Sequence, residues 1–92
     1  MKYTIKFEEE SLNDYFDGIS YYENVSDKIA DNFHTEFWKT INRIKENPLQ
    51  FQSRYKGIKI AFTQIFPFGI HYIVENDLIT IIKILHTKRF FK

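Results

Sequence analysis

Residues 78–86, Leu-Ile-Thr-Ile-Ile-Lys-Ile-Leu-His, constrain this chain more than any other stretch. Leu78, Ile79, Ile81, Ile82, Ile84 and Leu85 would fall on both faces of a strand, so the run needs cover on both sides or nearly so. It is predicted to be the centre of a sheet. Two further runs precede it, residues 58–65 and 66–75. The break at Phe66-Pro67 suits a strand start, because proline has no amide hydrogen for a ladder. Glu75-Asn76-Asp77 supplies a tight turn. Residues 58–89 therefore read as a β-meander that ends in His86-Thr87-Lys88-Arg89.

Upstream, residues 2–7 alternate, with Tyr3, Ile5 and Phe7 on one side, which predicts a half-buried strand at an edge. Ser11 is positioned to cap a first helix carrying Leu12, Tyr15, Phe16 and Ile19 at helical spacing. Ser26 can cap a second. Ile29, Ala30, Phe33, Phe37, Ile41 and Ile44 form its apolar stripe, and Asn47-Pro48 stops it. Residues 49–57 show no period and are expected to be a loop. The pattern is α+β, in the order β-α-α-β-β-β. The N-terminal strand joins a small, mainly antiparallel sheet, and the helical hairpin packs on one face of it.

Ninety-two residues make one domain, 1–92. With no cysteine, a reducing cytoplasm is the expected compartment, and thiolate metal sites are excluded. No apolar run reaches the length of a membrane span. No glycine-rich phosphate loop and no metal-spaced cluster is present, so no cofactor or metal is expected. The net charge of +1 is not that of a bulk nucleic-acid binder, and any such role requires local clustering.

The chemistry-bearing residues left are basic: Arg54, Lys56, Lys59, Lys83, Lys88 and Arg89, with His71 and His86. If the loop before the meander and the end of its last strand shared an open face, cations there could hold phosphates, and His86 could move a 2′-hydroxyl proton. The plain alternative is a solvated face for Lys56 and Lys59, a packed His71 and a Lys83 whose stem is buried beneath a wet amine. Trp38 and Phe37 are most simply core, but Trp38 lies off the main helical stripe, and the alternative is that it faces a partner. The many rings, ten Phe and six Tyr, suit an extended hydrophobic partner groove, with Phe90 and Phe91 in the tail as further candidates.

Asn47-Pro48, the segment Phe66-Pro67-Phe68-Gly69-Ile70-His71-Tyr72, the tail His86-Thr87-Lys88-Arg89 and Tyr21-Tyr22-Glu23 come in the order and spacing of a known family. On these residues the chain resembles the RelE/ParE toxin superfamily of bacterial type II toxin–antitoxin systems, over nearly its whole length. The resemblance implies a toxin that arrests growth and is neutralised by a cognate antitoxin wrapped around it. RelE-like members cleave mRNA in the ribosome; on that reading His86, Arg89 and Lys59 are catalytic, and Arg54, Lys56 and Lys88 hold the RNA. ParE-like members act on DNA gyrase without cleaving nucleic acid. A third possibility is a binding module that engages only the antitoxin. In each case Trp38, Phe90 and Phe91 are the candidate partner contacts.

Overall fold

The computed structural model describes residues 2–87. Strand β1 (Thr4–Phe7) leads into helices α1 (Glu9–Glu23) and α2 (Asp27–Glu46). A 3-10 turn at Pro48–Gln50 and strands β2 (Ser53–Tyr55), β3 (Ile58–Phe62), β4 (Phe68–Glu75) and β5 (Leu78–His86) follow. The strands form one sheet in the order β1-β5-β4-β3-β2. β1 runs parallel to β5, and the other pairs are antiparallel. The α+β layout is as expected, with two additions. Residues 49–57, expected to be a loop, contain the 3-10 turn and the short β2. The middle position belongs to β4, with β5 beside it; β5 was expected there.

Ser26 caps α2 as anticipated, its hydroxyl accepting the Ile29 amide at 3.0 Å. Helix α1 starts differently. Its N-cap is Glu8, and Ser11 is turned inward, donating its hydroxyl to the Glu8 carbonyl at 2.7 Å. Tyr15 meets Phe37 and Trp38, while Tyr22 meets Phe33, so the two helices run antiparallel. Phe33, Phe37, Ile41 and Ile44 of α2 press onto Ala61, Ile70, Tyr72, Ile79, Ile81 and Ile84 of the sheet in one core.

A β-bulge explains why residues 78–86 do not alternate. Lys83 pairs with His71 and Ile81 with Tyr72, which leaves Ile82 as the extra residue. The bulge changes the parity of the strand, so that Ile79 and Ile81 on one side of it and Ile84 on the other all face the helices. β1 pairs with β5 only as far as Ile81. Beyond that point Asp14 of α1 takes the place of a strand, accepting the Ile84 amide at 3.0 Å. A helix thus covers the part of the β5 edge that β1 leaves bare.

Tyr72 joins the sheet to the end of α2. Its side chain is fully buried, and its hydroxyl donates to the Pro48 carbonyl at 2.6 Å. Tyr72→Phe keeps the ring and strands that carbonyl, so a loss of about 1–2 kcal/mol is expected. A urea melt checks it: an unchanged midpoint would mean the carbonyl finds water instead.

Candidate functional site

Among the described residues, the basic side chains of β2 and β3 do not converge on His86. Arg54 on β2 lies with its guanidinium 5.5 Å above the Phe62 ring, a cation–π contact. Lys56 and Gly57 form the exposed two-residue turn between β2 and β3, both with positive φ, 47° and 75°. A two-residue hairpin favours that geometry, and glycine adopts it without strain. Lys59 is half-buried opposite Tyr72, and its ammonium donates to the Phe51 carbonyl at 2.9 Å. Arg54, Lys56 and Lys59 are thus gathered on one hairpin.

His86 lies elsewhere. It pairs with Phe68, and the two rings meet edge to face at 5.2 Å. With Asp14, Asp17, Gly18, Tyr21 and Phe68 it lines a cleft of about 270 Å³ between α1 and the ends of β4 and β5. Along β4, the partners of Lys59 and His86 are four residues apart, about 13 Å, with two strand spacings of about 5 Å each across the sheet. By register both side chains emerge on the helix side. His86 and Lys59 are thus set apart rather than brought together: β5 ends beneath α1, and the Lys59 amine is bonded to the Phe51 carbonyl two strands away. Lys88, Arg89, Phe90 and Phe91 lie outside the described residues.

The sheet face away from the helices carries a different polar group. His71 is 1 % exposed, pairs with Lys83, and shares a hydrogen bond of 2.9 Å between its Nδ1 and the Tyr55 hydroxyl. Burial first, and the Lys83 charge second, push its pKa down to about 4. At neutral pH it adds no positive charge to this face. The packed reading of His71 is the one the geometry supports.

Trp38 is 37 % exposed, so one of the three candidate partner residues does reach the surface. Its indole donates to the Tyr15 hydroxyl at 3.4 Å, and its ring meets Phe7 of β1 at 5.8 Å. The Tyr15 hydroxyl also bonds His34 Nδ1. Burial raises the Tyr15 pKa, and the Trp38 hydrogen bond offsets part of that rise. Leu12 and Phe16 were placed on the apolar stripe of α1, yet they are 40 % and 59 % exposed. The stripe instead runs through Ser11, Tyr15 and Gly18. Ile65, at the tip of the β3–β4 loop, is 77 % exposed. Its loop is held by the Thr63 amide donating to the Phe68 carbonyl at 3.0 Å and by the Gln64 amide donating to Glu36 at 3.2 Å. No helix among the described residues is long and apolar enough to cross a membrane.

Comparison with known proteins matches residues 5–91 to the model of the ParE toxin of the type II toxin–antitoxin system parDE. Among solved structures, the fold is similar to a chain of the chromosomal ParDE toxin–antitoxin system from P. aeruginosa. That match has a TM-score of 0.81 at 15 % identity, and covers 92 % of this chain and 96 % of that one. It is also similar to a chain of the E. coli DinJ–YafQ toxin–antitoxin complex, with a TM-score of 0.61 at 13 % identity over 100 % of both chains. No curated protein sequence is similar enough to count as a match. The family match spans β1 to the tail, and the strand, helical hairpin and meander are all in place: the chain belongs to the ParE toxin family of type II toxin–antitoxin systems.

Proposed function

We propose that this toxin arrests growth by binding DNA gyrase rather than by cleaving RNA, and that a cognate antitoxin holds it silent. The separation of His86 from Lys59 carries this reading. Cleavage of a phosphodiester needs a proton-transfer group and charge-stabilising cations within reach of the same phosphate. Here Lys59 is engaged by the Phe51 carbonyl, and His86 is packed on Phe68, two strands across and four residues along β4 from the Lys59 partner. The net charge of +1 also suits a protein target better than the phosphate-rich ribosome. A binding toxin works through contact area, and the exposed Trp38, Phe16 and Ile65 are surface of that kind.

The test is a supercoiling assay with purified gyrase, run beside mapping of mRNA 5′ ends during growth arrest. Loss of supercoiling with no new ends inside codons is expected. Lys59→Ala and His86→Ala should each leave growth arrest within about threefold. A nuclease would instead lose about 10²–10⁴-fold in cleavage on losing its acid or base. Intact supercoiling at high toxin excess, together with new ends that vanish in Lys59→Ala, would replace this reading with ribosome-dependent cleavage.

A further inference from the structure

Resting on the gyrase-binding reading above, we propose that the toxin meets its target through one patch: Arg54, Tyr55 and Phe62 of the β2–β3 hairpin with Ile65 of the β3–β4 loop. The patch seats on a protein surface that offers an apolar pocket rimmed by carboxylates. Ile65 is the knob. At 77 % it is the most exposed large apolar side chain among the described residues. Its loop is nonetheless fixed. The Phe68 amide donates to the Phe66 carbonyl at 2.9 Å, and the Thr63 hydroxyl donates to the same carbonyl. The Gln64 amide, on one side of Ile65, is held by the buried Glu36 of α2 at 3.2 Å. Phe66, on the other side, belongs to the core. An apolar side chain held out on a fixed loop has little freedom left to lose on binding.

The hairpin extends the knob into a surface. Phe62 is three residues before Ile65, so their α-carbons lie within about 11 Å. The Phe62 ring lies across Gly69, where a Cβ would stand 3.4 Å from it. Arg54 covers the ring with its guanidinium at 5.5 Å. A guanidinium stacked by its face keeps its N–H edge for a carboxylate. Tyr55, 37 % exposed, is anchored by its hydroxyl to His71. Phe62 itself is 39 % exposed.

Composition selects this side of the molecule over the helical one. From Asn47 to Val74 the sequence has no Asp or Glu, whereas every charged residue from Glu8 to Asp27 is acidic. The exposed Phe16 and Leu12 of α1 therefore stand among carboxylates. Interface centres are rich in aromatic residues and Arg and poor in Asp and Glu, because bringing a carboxylate into contact strips its water. Arg54, Tyr55, Phe62 and Ile65 match that composition, and α1 does not. Charge also argues for a protein rather than a nucleic acid. Lys59 is bonded to the Phe51 carbonyl, which leaves Arg54 and Lys56 as the cations of the hairpin that face water. Two charges beside a largely apolar surface hold a phosphate backbone weakly.

The test is gyrase supercoiling titrated with the parent toxin and with Ile65→Ser, Arg54→Glu and Phe16→Ser, each checked for folding by its urea midpoint. Ile65→Ser should raise the concentration for half-inhibition by about 30-fold, the loss expected of a central anchor. Arg54→Glu should raise it by about tenfold and weaken its salt dependence. Phe16→Ser, equally exposed but on the acidic layer, should stay within about threefold. Inhibition by Ile65→Ser equal to that of the parent overturns the patch and leaves the gyrase reading intact. If the parent does not inhibit gyrase, that reading falls by itself, and growth arrest then decides the patch: arrest undiminished in Ile65→Ser overturns it, and arrest lost there but kept in Phe16→Ser supports it for another protein target. Retention of duplex DNA by the toxin alone, abolished by Arg54→Glu, overturns it by giving the patch to phosphates.

Discussion

Phe33→Ala is expected to destabilise the fold by about 3–5 kcal/mol, the range for emptying a ring-sized site in a packed core. Phe33 is 1 % exposed and lies where α1, α2 and the meander meet. Its ring centre is 5.1 Å from Tyr22, 5.4 Å from Phe66 and 5.1 Å from Phe68. Gly18 belongs to the same contact. A Cβ there would sit 3.0 Å from the Phe33 ring, so the absence of a side chain is what lets α1 approach. These neighbours are held by their own strands and helices, so the site can collapse only partly. A chain of this size is stable by about 5–14 kcal/mol, which makes the loss a large fraction of the total. Urea unfolding measures it as a lower midpoint at unchanged slope. Phe16→Ala is the matched control: that ring is 59 % exposed, and its removal should stay within about 0.5 kcal/mol. Equal losses at the two positions would mean that the faces of the hairpin are assigned wrongly.

The contrast between Phe33 and Phe16 also marks how far the chain could be read unaided. Helix α2 was legible because Ile29, Ala30, Phe33, Phe37, Ile41 and Ile44 keep one period along a helix of 20 residues, between a serine cap and a proline stop. Helix α1 was not. Its aromatic residues lie on several faces, and only the packing against α2 selects Tyr15 over Phe16. Strand β2 carries no pattern, being three exposed residues long. The expectation that Lys59 and His86 would share a face close together misread the sheet for a related reason. Counting by twos along residues 78–86 cannot reveal the bulge at Ile82, and so cannot say which face a residue beyond it will take. The fate of the Lys59 amine was invisible as well, because it is decided by a carbonyl eight residues upstream that only the folded 3-10 turn brings near. The family resemblance was legible because it rests on the order of the motifs, which no local change of face disturbs.

His71 is expected to weaken the fold as the pH falls below neutrality. In the folded chain its pKa is pushed from an ordinary 6.5 down to about 4, by burial first and by the Lys83 charge second. Between those two values the unfolded chain takes up a proton that the folded chain refuses. Stability is therefore full above pH 6.5, falls as pH drops through that window, and stops falling from this cause below about 4. The shift corresponds to about 3 kcal/mol. His71→Gln removes the titration while leaving the Tyr55 hydroxyl an acceptor or donor to bond. Its stability should be nearly flat over the same window, so the two pH profiles converge toward pH 4. Asp14 titrates at the acid end with the opposite sign, its pKa raised chiefly by burial, but it is present in both proteins and cancels in the difference. Urea midpoints at half-unit steps from pH 7.5 to pH 4, reading about a single proton of extra uptake on unfolding in the parent, check the expectation. Parallel profiles for the two proteins would mean that His71 takes up its proton without unfolding, and that the sheet face opposite the helices admits water to the ring.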